Sequence, residues 1–523
     1  MYANRPKLFV FAIVVFAILL AACQPVATEP MMDETGSMLP LEKVRFGLPG
    51  ALTHFDPALP GETSEGSTIK LISGQLLRLD QYGVPQPDLA ESMDVSEDGL
   101  VYTFTLRENL MYSDGTPVTV GDIVYTWERI KDAPPTDKGP IANVVSVEAT
   151  DDRTVVWTLS IAEPSLPFWF GRTGFSVHPE AQVEADPDGY FRSPVSAGPY
   201  YVAAGEPGDP VVTLKENPNY QLGPMAVKEL ELHWVPDPTS RSLLLATGQL
   251  DYVYELPPQA RDTFPPEVET FVVALGGVFH LSINQQISED HCLSNRDVRE
   301  AISLAIDRSE INDRALLGIS PPVIGYFYTG QPLDVGILPN GGAQDLEAAK
   351  ALMANTPWAD GGCSFTVTTY GPRPGYVEGI LVFAEQLKAL NMEVTPDGQE
   401  VGVALDIMAN SPDYHAGWAV TGNNGGPPES YLRNQFLDGF WAQRSRIDDA
   451  EMKRLFDELG QTVDQGARED LIRQIQYRGY EVQSIIPCCE RSVMGGSRVG
   501  QNAVRTVTGA SHFIVVPLAD VEQ

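Results

Sequence analysis

The sequence predicts an α/β fold, and three of its features support this class. Strand-like and helix-like patterns alternate along the whole chain, as in folds that pack helices on sheets. Hydrophobic residues make up 43% of the 523 residues, which is enough for a buried core. No short-period repeat is visible, and Pro- and Gly-rich clusters separate the elements. We therefore expect two or three globular domains.

Three segments predict strands because β-branched and aromatic residues alternate in them with small or polar ones. They are residues 101–107 (VYTFTLR), 153–159 (RTVVWTL) and 229–235 (ELELHWV).

A helix is predicted at residues 295–308, where Val298, Ile302, Ala305 and Ile306 share one stripe behind an Asn/Asp-rich start. Further helices are expected at residues 119–131, 345–354, 377–390, 448–460 and 467–483. The first of these opens on Thr119 and Asp122, whose spacing resembles a capping box.

The N-terminus is typical of an export signal. Arg5 and Lys7 precede an apolar run over residues 8–20, which is shorter than the roughly 20 residues needed to span a membrane. We expect residues 1–22 to be a signal peptide. The run ends in LAAC, which resembles a bacterial lipobox and would make Cys23 the lipidated first residue, ahead of a polar tether over residues 23–41. An ordinary signal peptide with a coincidental cysteine is the alternative.

The composition is strongly acidic. The formal net charge is −35, from 70 acidic and 35 basic residues, and such a surface repels phosphates. We therefore expect no nucleic-acid partner. Simple solvation explains the charge, and a basic or neutral small ligand remains compatible with it.

Four further cysteines are expected to be structural: Cys292, Cys363, Cys488 and Cys489. An oxidising exterior permits disulfides, but four cysteines allow three pairings and the sequence does not choose among them. Because Cys488 and Cys489 are adjacent, a bond between them would close a strained ring. We expect at least one of them to pair with a distant partner or to stay free. No Cys/His spacing suggests a metal site.

The sequence shows no signature of an enzyme. It contains no GxSxG elbow, HExxH motif or P-loop, and its seven histidines are scattered. Carboxylates are abundant enough to leave a glycosidase-type pair open, but no two of them stand out. We predict a binding protein without a cofactor.

A series of motifs resembles one known family. The motifs are PDLAES (87–92), DGLVYTFTLREN (98–109), SDGTPVTVGDIVY (113–125), SAGPYYV (196–202), KENPNY (215–220), LLLATGQLDYV (243–253), LSINQQ (281–286) and VREAISLAIDRSEI (298–311). In this order they resemble family 5 of the bacterial extracellular solute-binding proteins, the peptide, nickel and oligosaccharide receptors of ABC importers. The resemblance runs from about residue 43 to the end.

The resemblance implies a bilobal periplasmic-binding-protein-like fold of type II, in which an inserted subdomain enlarges the first lobe. Lobe I is expected to comprise residues 42–75, 196–275 and 490–523, the inserted subdomain residues 76–195, and lobe II residues 276–489. The chain is expected to cross between the lobes near residues 276–284 and 487–497, and hinge closure would trap a ligand in the cleft.

The implied function is that of a substrate-binding lipoprotein. It would capture a peptide or peptide-like solute, act as a monomer outside the cytoplasm in the periplasm or at the cell surface, and deliver the solute to transmembrane permease subunits. An oligosaccharide receptor is the alternative within the family, favoured by an uncharged cleft wall. An exported hydrolase is the alternative from another class.

An uncharged stretch marks the expected cleft. Residues 417–428 (GWAVTGNNGGPP) carry no charge and could be a linker, an anion-binding nest or a pocket wall. Residues 421–426 resemble a TGDNGD segment of dipeptide receptors, whose first Asp pairs with the ligand ammonium. Asn423 stands at that position here. An amide donates and accepts hydrogen bonds but supplies no charge, so it suits hydroxyls or neutral amides better.

The second anchor matches the family. Residues 371–376 (GPRPGY) resemble an RPY segment, whose arginine binds the ligand carboxylate in dipeptide receptors, and this assigns that role to Arg373. The remaining candidate ligand contacts are Trp418, Thr421, Gly422, Asn424, Tyr376, His54, Phe55, Asp56, Trp169 and Asn284.

Overall fold

The structure is a computed structural model. It describes residues 40–59, 63–80, 84–131, 143–328, 331, 333–371, 375–422, 427–501, 504–506, 513–515 and 517. Predictions for Cys23, Arg373, Asn423 and Asn424 lie outside the described residues. Within the described residues, no helix is both long and apolar enough to span a membrane.

One ten-stranded sheet runs through both lobes, in the order β14-β13-β15-β12-β16-β11-β1-β10-β9-β8. The first half of the chain contributes β1 (Val44–Leu48), α1 (Thr63–Leu71), β2 (Leu77–Leu79), β3 (Pro85–Pro87), β4 (Ala90–Val95), β5 (Val101–Leu106), α2 (Val120–Lys131), β6 (Val144–Ala149), β7 (Thr154–Leu159), α3 (Leu166–Trp169), α4 (Glu180–Ala185), β8 (Tyr200–Ala204), β9 (Val211–Glu216), β10 (Glu229–Trp234), α5 (Pro238–Ala246) and β11 (Tyr252–Leu256).

The second half begins with the long strand β12 (Glu269–Ile283). It continues with α6 (Arg296–Ala305), α7 (Arg308–Ala315), α8 (Leu346–Met353), β13 (Cys363–Tyr370), α9 (Tyr376–Leu387), β14 (Met392–Gln399), α10 (Val401–Asn410), β15 (Ala416–Gly422), α11 (Pro428–Phe436), α12 (Phe440–Ser445), α13 (Ala450–Gln461), α14 (Gln465–Val482), β16 (Ile485–Ser497), β17 (Val504–Thr506) and β18 (Phe513–Val515).

Three structural units follow from this topology. Lobe I is built on β1 and β8–β11, and lobe II on β13–β15 with helices α6–α14. The inserted subdomain carries a separate antiparallel sheet in the order β4-β5-β7-β6. Each unit has its own core: Phe46 and Tyr252 lie in lobe I, Trp157 in the inserted subdomain, and Leu281 and Trp418 in lobe II.

Two antiparallel strands, β12 and β16, belong to both lobes. Residues 269–274 of β12 pair with residues 492–497 of β16 beside lobe I, and residues 277–283 of β12 pair with β15 in lobe II. The register of the β12–β16 pair shifts between Ala274 and Gly277 and again between Phe279 and His280. Such bulges bend and twist a strand locally.

The predicted elements are confirmed in type and closely in extent. The strand segments appear as β5, β7 and β10, and the helix segments as α2, α8, α9, α13 and α14. The capping interaction is also present, because Thr119 N donates to Asp122 Oδ2 over 2.8 Å and Asp122 N donates to Thr119 Oγ1 over 3.3 Å.

The single helix predicted at residues 295–308 is two helices. Asn295 caps the first, α6, which ends at Ala305 because Ile306 is extended (φ −75°, ψ 121°). Asp307 then accepts from Glu310 N over 3.0 Å and caps α7. The apolar stripe continues across this break, which hides it from a pattern of hydrophobic spacing.

Cys292 and Cys363 form a disulfide across 71 positions of sequence. It ties the segment before α6 to the start of β13 in the lobe II core. Cys488 and Cys489 are both buried and carry no disulfide in the structure, which agrees with the expectation that at least one of them pairs with a distant partner or stays free.

Two histidines are buried without charge compensation. His178 and His280 are 4% and 0% exposed. Burial penalises the imidazolium form and lowers the pKa of His178 to about 3 and that of His280 to about 4. Asp88 shows the opposite shift, since burial raises the pKa of its carboxyl to about 6.

We expect the free energy of unfolding to fall as the pH is lowered from about 6.5 to 5, because the unfolded chain binds protons on both histidines more readily than the folded protein does. Each histidine contributes on the order of 2 kcal/mol over this range. The carboxyl of Asp88 takes up its proton at a higher pH in the folded protein than in the unfolded chain. This opposes the fall in the free energy of unfolding by about 1 kcal/mol. Guanidinium unfolding at several pH values measures the slope.

His178→Gln removes one of the two histidines. The free energy of unfolding should then depend less steeply on pH, whatever the variant does to the absolute stability. An unchanged slope in the variant would contradict the assignment.

Candidate functional site

The strands of both lobes point their carboxyl ends at one gap. In lobe I, β1 and β11 are parallel, and Leu256 at the end of β11 pairs with Met494 of β16. In lobe II, Gly422 at the end of β15 pairs with Gly277 of β12, which faces Arg491 of β16. Met494 and Arg491 are three residues apart, or about 10 Å of strand. The two sets of strand ends therefore face each other across the crossing strands, where ligands of open α/β sheets bind.

The loop that follows β1 is pinned at the lobe I side of this gap. Phe55 anchors it in the core with 0% exposure. Glu65 of α1 accepts from Thr53 N over 2.7 Å, and its carboxylate lies 4.0 Å from His54 Nε2. Asp56 pairs with Arg129 of the inserted subdomain. His54 and Asp56 are therefore held at the rim, while Phe55 supports them from within.

Strands β13 and β15 end at the lobe II side of the gap. These strands are parallel, with Val367 opposite Ala416, so their carboxyl ends meet at one edge of the sheet. Strand β13 ends at Tyr370 and β15 at Gly422. The predicted contacts Arg373, Asn423 and Asn424 follow these strands in the sequence and lie outside the described residues.

Trp418 belongs to a buried aromatic row. Its indole is 0% exposed and stacks on Phe279 at 5.9 Å between ring centroids. Tyr376 packs edge-to-face on Phe279, with 5.3 Å between the ring centroids, and is half-buried at the start of α9. Tyr376 also packs on Tyr370 at the end of β13, with 5.5 Å between ring centroids, so the row continues to the strand end. Trp418 supports it from the core, and its predicted stacking on a ligand would require the core to open.

Thr421 faces the opposite side of the sheet from Trp418. It is fully buried, and its Oγ1 lies 3.4 Å from His280 Nδ1. His280 Nδ1 also lies 3.1 Å from the Val278 carbonyl oxygen, and its ring packs edge-to-face on Trp441 at 4.9 Å. These contacts hold the end of β15 on one face of the sheet. Gly422, the last residue of the strand, is half-buried.

The structure does not place Trp169 and Asn284 at the strand ends beside the gap. Trp169 lies in the core of the inserted subdomain, where the guanidinium of Arg172 covers its ring at 4.8 Å. Asn284 follows the far end of β12, seven residues or roughly 20 Å beyond Gly277. Its amide donates to the Tyr414 carbonyl oxygen over 2.8 Å. Both side chains therefore serve packing in this conformation.

Sequence reasoning missed Arg491. It lies on β16 opposite Gly277, between the two sets of strand ends, and is half-buried. Among the described residues, no hydrogen bond or ion pair engages its guanidinium. The basic residue between two apolar halves of a strand, CCERSVMGG, is the signal that could have identified it.

A groove of about 780 Å³ adjoins the lobe I rim. Val124, Val147 and Ala149 contribute apolar surface, and Arg129 links the groove to Asp56. Its acidic lining residues are Glu128, Glu148, Glu180 and Glu184. Such a lining suits cationic groups. Within the described part of the chain, no group of three or more His, Cys, Asp or Glu side chains could hold a metal ion.

The comparison with known proteins decides the family. Residues 84–443 match the family model described as bacterial extracellular solute-binding proteins, family 5 Middle. The chain belongs to family 5. The match confirms the resemblance, and the likeness to solved structures confirms the bilobal α/β fold class. Solute-binding proteins of this family act outside the cytoplasm.

Two curated relatives illustrate the range of similarity. Protein XP55 of Streptomyces lividans is 29% identical over 374 residues, which are 68% of this chain and 67% of the relative. The dipeptide-binding protein DppE of Bacillus subtilis is 25% identical over 279 residues, and the match spans half the length of each chain.

A solved structure supports the fold over nearly the whole chain. The nickel ABC transporter protein from Bacillus halodurans is 23% identical, with a TM-score of 0.78 that covers 91% of this chain and 99% of the other. At this identity the likeness establishes the fold alone.

In this family 5 protein, the inserted subdomain and lobe II touch at Gly99 and Val463. Gly99 lies in the turn between β4 and β5 with a positive φ of 69°. A Cβ on Gly99 would lie 3.1 Å from Cγ2 of Val463, in the connection between α13 and α14. Asp98 holds the turn, since it accepts from Leu100 N over 3.1 Å. The contact therefore joins the two units directly.

We expect Val463→Asp to favour the open form, because a carboxylate at this contact loses the apolar burial. The loss of about 1 kcal/mol corresponds to a roughly fivefold change in the closed-to-open ratio. Small-angle X-ray scattering of the ligand-free protein should show a larger radius of gyration.

Leu381→Asp is the matched control, because Leu381 is 54% exposed on α9 and is not part of the contact between Gly99 and Val463. An equal increase in radius for both variants would count against a specific contact.

Proposed function

We propose that this protein is the substrate-binding lipoprotein of an ABC importer and captures a peptide or peptide-like solute in the gap between its lobes. The observation that carries the proposal is the convergence of strand carboxyl ends from both lobes on one gap spanned by β12 and β16. Two bulges in the β12–β16 pair give the crossing a place to bend. Closure over the solute, followed by transfer to transmembrane permease subunits, is the whole mechanism, and the protein acts as a monomer.

The ligand class follows from the charges available at the gap. Arg373 and Arg491 are two guanidiniums suited to a carboxylate, which they can bind through two parallel hydrogen bonds. Asn423 stands where a carboxylate would bind an ammonium, and an amide prefers a neutral partner. We therefore favour a peptide-like solute that has a free carboxylate and whose other end is neutral.

An oligosaccharide is the second candidate for the same gap. The uncharged residues 417–428 and the half-buried Tyr376 suit a ligand that presents hydroxyls and apolar ring faces. This candidate requires neither arginine. Retention of affinity without both guanidiniums is the result that would favour it.

The anchor to the membrane is part of the proposal. LAAC at residues 20–23 would be processed so that Cys23 carries the lipid, and the polar residues 23–41 would leave the lobes free above the membrane. Metabolic labelling with a fatty acid, compared between the full chain and Cys23→Ala, tests it. Equal labelling of both chains would remove the lipid from the proposal.

The first experiment is native mass spectrometry of the purified protein, which reports any solute carried through purification. A thermal-shift screen of peptides, oligosaccharides and nickel then ranks the classes, because a solute that binds only the folded protein raises its Tm. Turnover of peptides or glycosides by the pure protein would instead support an exported hydrolase.

We expect Arg373→Ala to weaken binding of a carboxylate-bearing solute by about 10- to 100-fold, since a hydrogen bond to a charged group is worth roughly 1.5–3 kcal/mol. Arg491→Ala should weaken it in the same direction. Isothermal titration calorimetry with the solute identified above measures both.

Arg314→Ala is the matched control, because Arg314 pairs with Glu310 on the exposed side of α7. Wild-type affinity in Arg373→Ala would remove Arg373 from the site, and wild-type affinity in both variants would exclude a carboxylate anchor altogether.

A further inference from the structure

A β-bulge turns two neighbouring cysteines toward the same core. Adjacent residues of a regular strand point to opposite faces. On β16, however, Cys489 pairs with Phe279 and Pro487 pairs with His280, so Cys488 is the extra residue of a bulge. Cys488 and Cys489 both pack into the lobe II core as a result, with exposures of 1% and 0%.

The bulge brings the two sulfur atoms unusually close. Their Sγ–Sγ distance is 2.6 Å. A disulfide bond is about 2.0 Å long, and even an N–H···O hydrogen bond between smaller atoms is about 2.9 Å. The separation is therefore nearer to a covalent bond than to a contact between two thiols.

The backbone holds this geometry independently of the sulfur atoms. Val323 N donates to the Cys488 carbonyl oxygen over 3.0 Å, and Glu490 N donates to the Pro321 carbonyl oxygen over 2.8 Å. The buried guanidinium of Arg308 donates through Nε to the Pro487 carbonyl oxygen over 3.0 Å. Residues on both sides of the pair are thus tied to lobe II.

No other described cysteine is available to either thiol. Cys292 and Cys363 are bonded to each other. The fifth cysteine of the chain is Cys23, whose sulfur the proposed lipid anchor would occupy. The two neighbours are left with each other.

We propose that Cys488 and Cys489 form a vicinal disulfide in the exported protein. Both S–H bonds break and one S–S bond forms, and the two electrons and two protons pass to the disulfide of an extracytoplasmic thiol–disulfide oxidoreductase, which leaves as its dithiol. The ring closes through the peptide bond between the two residues and fills the bulge.

The bond forms during folding, before the strand is covered. Burial raises the pKa of the Cys489 thiol in the folded protein, so the attacking thiolate is scarce once lobe II has closed over it. A protein that folds reduced should therefore oxidise slowly at this pair, whereas the pair in the exported protein is already oxidised.

The ring acts locally. It encloses almost no chain, so it removes little entropy from the unfolded state, unlike a disulfide that closes a long loop. It keeps the bulge in one geometry and removes two oxidisable thiols from a strand that both lobes share.

Peptide mapping tests the bond directly. The exported full chain is denatured without reductant in excess N-ethylmaleimide at about pH 6.5, where exchange is slow because thiolates are few. Trypsin then releases residues 479–491 (GYEVQSIIPCCER), which contain both cysteines and no others. We expect this peptide to be unlabelled and lighter than the dithiol by two hydrogen atoms, and to take two labels after reduction.

Two controls accompany the measurement. The peptides of residues 262–296 and 351–388 should be found linked through Cys292 and Cys363, which shows that oxidised pairs survive the procedure. Cys489→Ser should give one label on Cys488, which shows that the reagent reaches this site. Any label on the wild-type peptide before reduction, or its linkage to another peptide, would overturn the proposal.

Discussion

The pairing of β12 with β16 carries the whole architecture. Strands β1 and β8–β11 of lobe I and β13–β15 of lobe II join one ten-stranded sheet, in which β16 pairs with β11, β12 pairs with β15, and β12 and β16 pair with each other. The hydrogen bonds between them resist separation of the lobes, while the bulges let the sheet bend. The same residues therefore hold the two lobes together and let the sheet bend between them.

This constraint also decides what each residue near the gap can do. Strand residues face a helical layer on either side, so Trp418 and Thr421 are buried although they lie within four residues of the edge. Only residues beyond the strand ends, or on the crossing itself, remain free of this packing. Arg491, on the crossing strand β16, is such a residue and is half-buried.

Sequence reasoning recovered the elements because their hydrophobic spacing is local, and the family because its motifs are local too. It did not recover the face on which Trp418 lies, which depends on the partner strand and on α9, or the distance of Asn284 from the gap, which depends on the direction of β12. The proximity of Cys488 and Cys489 depends on the register shift between β12 and β16, which cannot be read from the sequence of β16 alone.

The pinned loop after β1 has an evolutionary consequence. Phe55 and Glu65 hold it to lobe I from below, and neither the sheet nor its register relies on the outward side chains. Replacement of those side chains would therefore cost the fold little. The framework itself recurs in a protein that is 23% identical, with a TM-score of 0.78, so the packing beneath this loop tolerates wide changes of sequence.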